Sequence, residues 1–337
     1  MTAPVTRGFI LGSRRSGSNL LRVMLNSSPH LCAPHPPHIL HAFTPILDLY
    51  GDLDVDAHWN RLAEDVTRYA NLSPVPLIDS GASLDPSAVA IRCQERSLPC
   101  LHDAVYTLSM LANGKRAWVC KSNDNIHYLE AIDDAFGDSA RYLYLVRDGR
   151  DVALSFRKAP IGPKHPYVCA QEWDETQRRM LDWERQAGKR CLRVHYEQLL
   201  AAPEATLSRV CGFLGVPFHP DMLAFHTTGE AERTADKSVL WANLTRPLLS
   251  DNTAKWRRDS LDNVWQFERC AGDSLSHLGY SLACQPLSPP NPDELIRFQS
   301  EDRRLREEVR ERVGADGGNR DQQAAFLARR RQELGLA

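Results

Sequence analysis

The sequence predicts an α/β fold, a mostly parallel central sheet flanked by helices, with a helical insertion and a helical C-terminal appendix. Short apolar runs recur between amphipathic stretches, the pattern of strands alternating with crossover helices. The first run feeds a Gly/Ser turn and then a helix, which makes the opening βα turn P-loop-like. In such folds ligands bind at the carboxyl ends of the strands. With 337 residues and net charge −2, the chain can bury a large core and carries no global basic field that would draw it to nucleic acid or an anionic membrane.

Phe9, Ile10 and Leu11 read as the first buried strand, and Leu20, Leu21, Met24 and Leu25 recur at helical spacing after it. Between them, Gly12 and Gly17 have the G-x-x-x-x-G spacing of a phosphate loop. Ser18 stands where that motif has its Lys, and Asn19 where Ser/Thr would hold Mg²⁺. Arg14, Arg15, Ser16 and Ser18 fill the turn instead. The blander reading is a Gly/Ser turn with solvated arginines; the sharper one is a metal-free cradle for a phosphate, formed by helix N-terminal N–H groups and guanidinium charge.

Pro29 to His41 holds four prolines and four histidines in thirteen residues, an extended and stiff segment. His35, His38 and His41 repeat every three residues, but the prolines prevent a regular helix that would face them to one metal, and no metal is expected. Gly51 to Asp56 imitates a calcium loop but has Ala57 and Ala63 where Gly and Glu are required. Trp59 to Asn113 reads as helices interrupted by a Pro/Ser/Gly loop over Ser73 to Pro86. With its flanks this forms a helical insertion, 41–116, of the kind that covers a substrate.

Ala117-Trp-Val-Cys-Lys121 is the next strand, with Lys121 at its end and Ser122 and Asn123 as helix caps. Tyr142-Leu-Tyr-Leu-Val146 is the strongest strand signal. Arg147 follows it, and Ser155, eight residues on, lies about two turns into the next helix and faces the same crevice. Arg190 to His195 is a further strand, leading into Tyr196-Glu-Gln-Leu199 and a helix through Gly215. A helix after Lys255-Trp-Arg-Arg258 runs to about Leu278. The domain spans 1–285. A Pro-rich linker and charged helical tail, 286–337, follow, with ten Arg balanced by ten Asp/Glu over 293–337 and a break at Gly314 to Gly318. The tail is expected to pack on the body or on a second copy, so a homodimer is possible.

No apolar run approaches a membrane span. The segment after Arg7 is too short for a secretory h-region. Nine cysteines without a C-x-x-C pair point to reduced thiols. The expected location is cytoplasmic, where the Asn243-Leu-Thr245 triplet is not a glycosylation site.

Arg15-Ser-Gly-Ser-Asn-Leu-Leu-Arg-Val-Met-Leu25, followed by Pro29, resembles the 5′-phosphosulfate loop of PAPS-dependent sulfotransferases, in the branch that includes tyrosylprotein sulfotransferases and many bacterial members. The resemblance recurs over roughly 7 to 280 and is weak between His41 and Arg116. It implies sulfuryl transfer from PAPS (3′-phosphoadenosine 5′-phosphosulfate) to a hydroxyl or amine. Arg14, Arg15, Ser16, Gly17, Ser18 and Asn19 would cradle the 5′ end, and Arg147 and Ser155 the 3′-phosphate. Lys121 lies 26 residues before Arg147, the family's separation for the lysine that stabilises the leaving oxygen together with Arg15. Arg246-Pro247, ten residues before Trp256, stands where the family has Lys-Pro over the nucleotide, and Tyr196-Glu-Gln-Leu199 also matches, with Tyr196 either a donor contact or a structural tyrosine. The base is a Glu in tyrosylprotein sulfotransferases and a His in cytosolic ones; aligned without gaps, the tyrosylprotein base falls on Pro36 here. His35 and His38 flank it and are the candidates, His35 first because it adjoins that position.

A small-molecule alcohol or phenol is the expected acceptor. A kinase or nucleotide hydrolase is the first competing function, disfavoured by the missing Lys and Mg²⁺ ligand. A non-catalytic nucleotide-binding module is the second, raised by Pro36.

Overall fold

The computed structural model describes residues 5–249, 251–284, 288–313 and 320–335. Among them the strands are β1 Arg7–Leu11, β2 Leu31–Cys32, β3 Ala117–Cys120, β4 Ala140–Val146 and β5 Cys191–His195. All pair in parallel, in the order β2-β3-β1-β4-β5. β1 is central, with Phe9 in register with Cys120 on one side and Tyr142 on the other. Successive side chains of a strand face opposite layers. Phe9, Leu11, Tyr142, Tyr144 and Val146 enter one core, and Ile10, Leu143 and Leu145 the other. Burial on both faces explains why these strands read as continuous apolar runs rather than alternating ones.

The helices are α1 Ser18–Asn26, α2 Ile39–Phe43, α3 Asp56–Asn71, α4 Pro86–Arg92, α5 Leu98–Ala112, α6 Leu129–Phe136, α7 Gly149–Lys158, α8 Pro166–Ala187, α9 Tyr196–Ala201, α10 Pro203–Phe213, α11 Gly229–Ala235, α12 Leu261–His277, α13 Pro292–Val313 and α14 Asp321–Gly335. The expected α/β architecture is present. Pro203 splits the helix expected through Gly215 into α9 and α10, since a proline interrupts the helical hydrogen-bond ladder. The sequence reading passed over β2, α2, α8 and α11. β2 is two residues in a proline-rich segment, and α2 and α11 are short, five and seven residues. α8 and α12 nonetheless pack closely, with Trp173 against Phe267 at 5.7 Å.

The insertion over 41–116 is helical as expected, carrying α3, α4 and α5. α14 packs on it: Phe326 meets Tyr69, Gln323 Nε2 donates to Tyr69 O at 3.0 Å, and Arg330 pairs with buried Asp65 at 2.8 Å. The tail therefore seats on the body. The expected break at Gly314 to Gly318 lies outside the described residues.

Candidate active site at the carboxyl ends of the strands

Each strand delivers one group of candidate residues from its carboxyl end. β1 leads into the Arg14–Asn19 loop, β2 into the His35–His38 segment, β3 into Lys121, β4 into Arg147 and β5 into Tyr196. Sheet order then decides which groups meet. β1 lies beside β4, and Arg147 Nη1 donates to Arg15 O at 3.1 Å. β4 lies beside β5, and the Arg147 guanidinium sits 4.5 Å from the Tyr196 ring centroid. β2 lies beside β3, and His38 Nδ1 is 2.7 Å from Ser122 Oγ.

The ends of β1, β3, β4 and β5 open on a cavity of about 920 Å³, lined by nine Lys/Arg against two Asp, so it suits a polyanion; the β2 segment is not part of its lining. At one end the loop turns through Arg15 (φ 68) and Gly17 (φ 92), both left-handed. A Cβ on Gly17 would lie 2.4 Å from the Tyr196 ring, so the position demands glycine. Gly17 caps α1 without a side-chain hydrogen bond, which leaves the first N–H groups of that helix for a ligand. Arg15 Nε donates to Ser155 Oγ at 3.0 Å. Burial, and then the Arg147 charge, lower the pKa of Arg15. Arg14, half exposed at the rim, pairs with Glu172. Ser18 and Asn19 line the cavity. Ser16 does not: it is fully buried, with its hydroxyl 2.6 Å from Ser13 Oγ, and the small side chain serves the turn rather than the ligand.

Lys121 also lines the cavity, and its ammonium has no hydrogen bond or ion pair among the described residues. Burial, with Arg22 and Arg320 nearby, pushes its pKa down to about 7. Arg147, also lining the cavity, is buried and has no carboxylate partner among the described residues. Nη2 donates to Asn252 O at 3.0 Å, and Nε is left without an acceptor. Tyr196 OH accepts from Asn252 Nδ2 at 2.8 Å. Arg246 lies exposed at the mouth, on the segment after Leu244. Buried Asn19 Oδ1 and Asn123 Oδ1 also lack partners. Lys121 and Arg147, both lining one cavity without a carboxylate partner among the described residues, fit an anionic ligand.

Arg150, in the same turn as Arg147, is turned away from the cavity. It pairs with buried Asp148 at 2.8 Å and Glu268 at 2.5 Å and stacks 3.5 Å over Trp256. The pair locks β4, α7 and α12 together, so of the two arginines in Arg147-Asp-Gly-Arg150 one lines the cavity and one is structural.

The two histidines separate. His35, like His38 not among the residues lining the cavity, is 1% exposed and edge-on to Trp241 at 5.1 Å. Its Nδ1 accepts from Arg320 Nη2 at 3.2 Å. A guanidinium only donates, so the ring proton is on Nε2 and the one lone pair is already engaged. The engaged lone pair makes His35 the less available of the two candidates. His38 is 22% exposed, with Asp124 Oδ2 3.7 Å from Nδ1 on the Ser122 side. The carboxylate favours the proton on Nδ1, and Nε2 has no partner among the described residues. Burial, then Arg320, Lys121 and His41, hold the His38 pKa well below its ordinary value, so the ring is neutral. Ser122 starts a short 3₁₀ turn but makes no cap hydrogen bond; its hydroxyl serves His38 instead.

Asp124, Asn252, Trp241 and Arg320 escaped the sequence reading, and Ser122 entered it only as a helix cap. Their roles depend on which loops the fold brings together, and no spacing in the chain signals that.

Comparison with known proteins supplies an independent test. Residues 9–220 match the model described as "Sulfotransferase family". The chain is 24% identical over 308 residues to "Protein-tyrosine sulfotransferase A" of Caenorhabditis elegans, covering 87% of this chain and 72% of that protein. Among solved structures it is similar to the sulfotransferase domain of the Synechococcus PCC 7002 olefin synthase, with TM-score 0.54 and 25% identity over 80% of this chain and 95% of that one. The sulfotransferase domain from the curacin biosynthetic pathway shares the fold, with TM-score 0.57 and 23% identity over 84% of this chain and 100% of that one. The chain belongs to the sulfotransferase family and is a sulfotransferase enzyme.

Proposed function

We propose that the chain transfers a sulfuryl group from PAPS to a hydroxyl, or an amine, of a small-molecule acceptor. The observation that carries the donor assignment is a cavity lined by two cations without carboxylate partners among the described residues, Lys121 and Arg147, the second against the Arg15 carbonyl and the Tyr196 ring. When bound, PAPS supplies a sulfuryl group on a phosphate leaving group. The rest is positioning and charge stabilisation by the chain. The loop from Arg14 to Asn19 holds the 5′ end, and Arg147, Ser155, Tyr196 and Arg246 hold the 3′ end. His38 accepts the acceptor's proton at Nε2, while Lys121 and Arg15 neutralise charge on the leaving oxygen. Neutral His38 and the unpaired Lys121 support these roles.

The small-molecule reading is supported by apolar Val239, Leu240 and Trp241 along the cavity wall, a surface for a hydrocarbon or aromatic body. A second reading, a peptide tyrosine, is favoured by the name of the Caenorhabditis elegans relative. We also place the protein in a reducing compartment, a reading supported by nine unpaired cysteines.

Two assays test the proposal. PAP should raise the melting temperature and ATP with Mg²⁺ should not; the reverse would favour a kinase or hydrolase. Purified protein with PAPS should then be offered a metabolite extract and, separately, tyrosine-containing peptides. Products gaining SO₃ only in the peptide arm would replace the small-molecule reading. PAP binding without turnover in either arm would support a non-catalytic module.

A further inference from the structure

The C-terminal appendix reaches the candidate base. Arg320, at the head of α14, lies 285 residues beyond His35, and Nη2 donates both to His35 Nδ1 at 3.2 Å and to Pro36 O at 2.8 Å. Nη1 donates to Gln323 Oε1 at 2.6 Å, and the side chain pairs with no carboxylate among the described residues. Gln323 in turn donates to Tyr69 O, and Arg330 pairs with Asp65, so this cation is held from α3 as well as from its own helix.

The segment that Arg320 grips is one that needs gripping. His38 sits at φ 58, a left-handed conformation uncommon for a residue other than glycine, and it does so directly after Pro36-Pro37. We propose that Arg320 is a positioning residue of the acceptor end of the site: by fixing His35 and the Pro36 carbonyl it presents His38 to the reacting hydroxyl beside Lys121. This rests on the sulfuryl-transfer reading above. It assigns the charged tail a part in the reaction that its balanced composition does not suggest.

The charges around the two groups sharpen the test. His38 faces Arg320, Lys121 and His41, with Asp124 opposing them. Lys121 faces Arg22 and Arg320, with Asp124 and the Cys120 thiol opposing. Arg22 is itself neutralised by Glu230 at 2.5 Å, which leaves Arg320 as a cation without a paired acid next to both. Its removal raises the pKa of each.

The experiment uses the full chain carrying Arg320→Ala, Arg320→Gln or Arg320→Lys. PAP affinity is read by calorimetry, imidazole tautomers and titration by ¹⁵N NMR, and PAPS turnover against pH with p-cresol as probe acceptor. Arg320→Ala should leave PAP affinity within about twofold, release His35 from the pure Nε2–H tautomer, and lower kcat at pH 7 roughly tenfold. Its acidic limb should move up by roughly half a unit or more. Arg320→Lys should recover most of the limb position because it keeps the charge. Arg320→Gln, which donates without charge, should not. An Arg320→Ala protein with reduced melting temperature but an unchanged His35 tautomer and acidic limb would overturn the proposal, reducing the contact to tail anchoring. If Arg320→Ala does not fold, the Gln and Lys variants decide by the same two readouts. Failure of the unsubstituted protein to bind PAP or turn over PAPS would count against the sulfuryl-transfer reading instead. The NMR comparison would still decide whether Arg320 sets the state of His35 and His38.

Discussion

Arg147 lies with its guanidinium 4.5 Å from the centroid of the Tyr196 ring, and backbone carbonyls of Arg15 and Asn252 hold its two terminal nitrogens. It is thus a buried cation fixed in place by neutral groups, with its full charge left for a ligand. Arg147→Ala should weaken PAP roughly tenfold to a hundredfold, the loss of a charged contact of ~1.5–3 kcal/mol, with little change in melting temperature. Calorimetry giving an unchanged affinity would remove Arg147 from the donor site.

Lys121 carries a pH signature. Its pKa, pushed down to about 7, means the free protein holds it mostly neutral at pH 8, whereas an anion beside it favours the charged form. PAP binding at pH 8 should therefore take up a proton, read as a dependence of the calorimetric enthalpy on buffer ionisation. Lys121→Met should abolish most of that uptake and lower kcat more than it raises the KM for PAPS. Equal uptake in the variant would assign the proton to another group.

The same depression has a sign for stability. Lys121 binds its proton more weakly folded than unfolded, so between about pH 7 and its ordinary value near 10.5 the unfolded chain holds more protons. Its contribution to stability then rises with pH across that window, and is least favourable below it. Lys121→Met should flatten this part of the melting-temperature profile. A profile of unchanged slope would mean that the lysine is less desolvated than its surroundings indicate.

Of the two histidines, His38→Ala should lose roughly a hundredfold or more in kcat with PAP binding retained, and His35→Ala distinctly less. Activity should rise with pH as His38 loses its proton. Burial and neighbouring cations put that limb in kcat/KM below the ordinary histidine value, and bound phosphates should shift it upward in kcat. If His35→Ala proves the more damaging, the base assignment reverses.

Gly17→Ala tests the loop geometry. The left-handed backbone and the 2.4 Å approach to Tyr196 should together cost about 1–3 kcal/mol or displace the ring. Thermal melting should report the first and a loss of PAP affinity the second. A variant normal in both would show that the loop has room the structure does not indicate.

Much of the candidate site was legible because each part lies within one βα unit. Gly12 to Asn19 is a turn plus a helix start, and Arg147 and Ser155 are separated by a local spacing that a strand end and two helical turns translate directly into a shared direction. The same locality made Ser16 misleading, since composition marks a hydroxyl in the loop but not the way it points. The base was ambiguous for the opposite reason. His35 and His38 are equivalent in sequence, and what distinguishes them is Arg320 on one and Ser122 with Asp124 on the other.

The chain by itself determined the layered α/β fold and the cationic character of the site. Apolar runs, turn residues and local spacings follow from backbone geometry and burial, and act over a few residues. Tertiary structure decided which ends became neighbours. The order β2-β3-β1-β4-β5 brought His38 to Ser122 and Arg147 to Arg15 and Tyr196, and the packing of α14 on α3 carried Arg320 to His35. A hydrogen bond acts over about 3 Å whatever the separation along the chain, so partners 84, 132 or 285 residues apart are specified only once the strands are ordered and the helices packed.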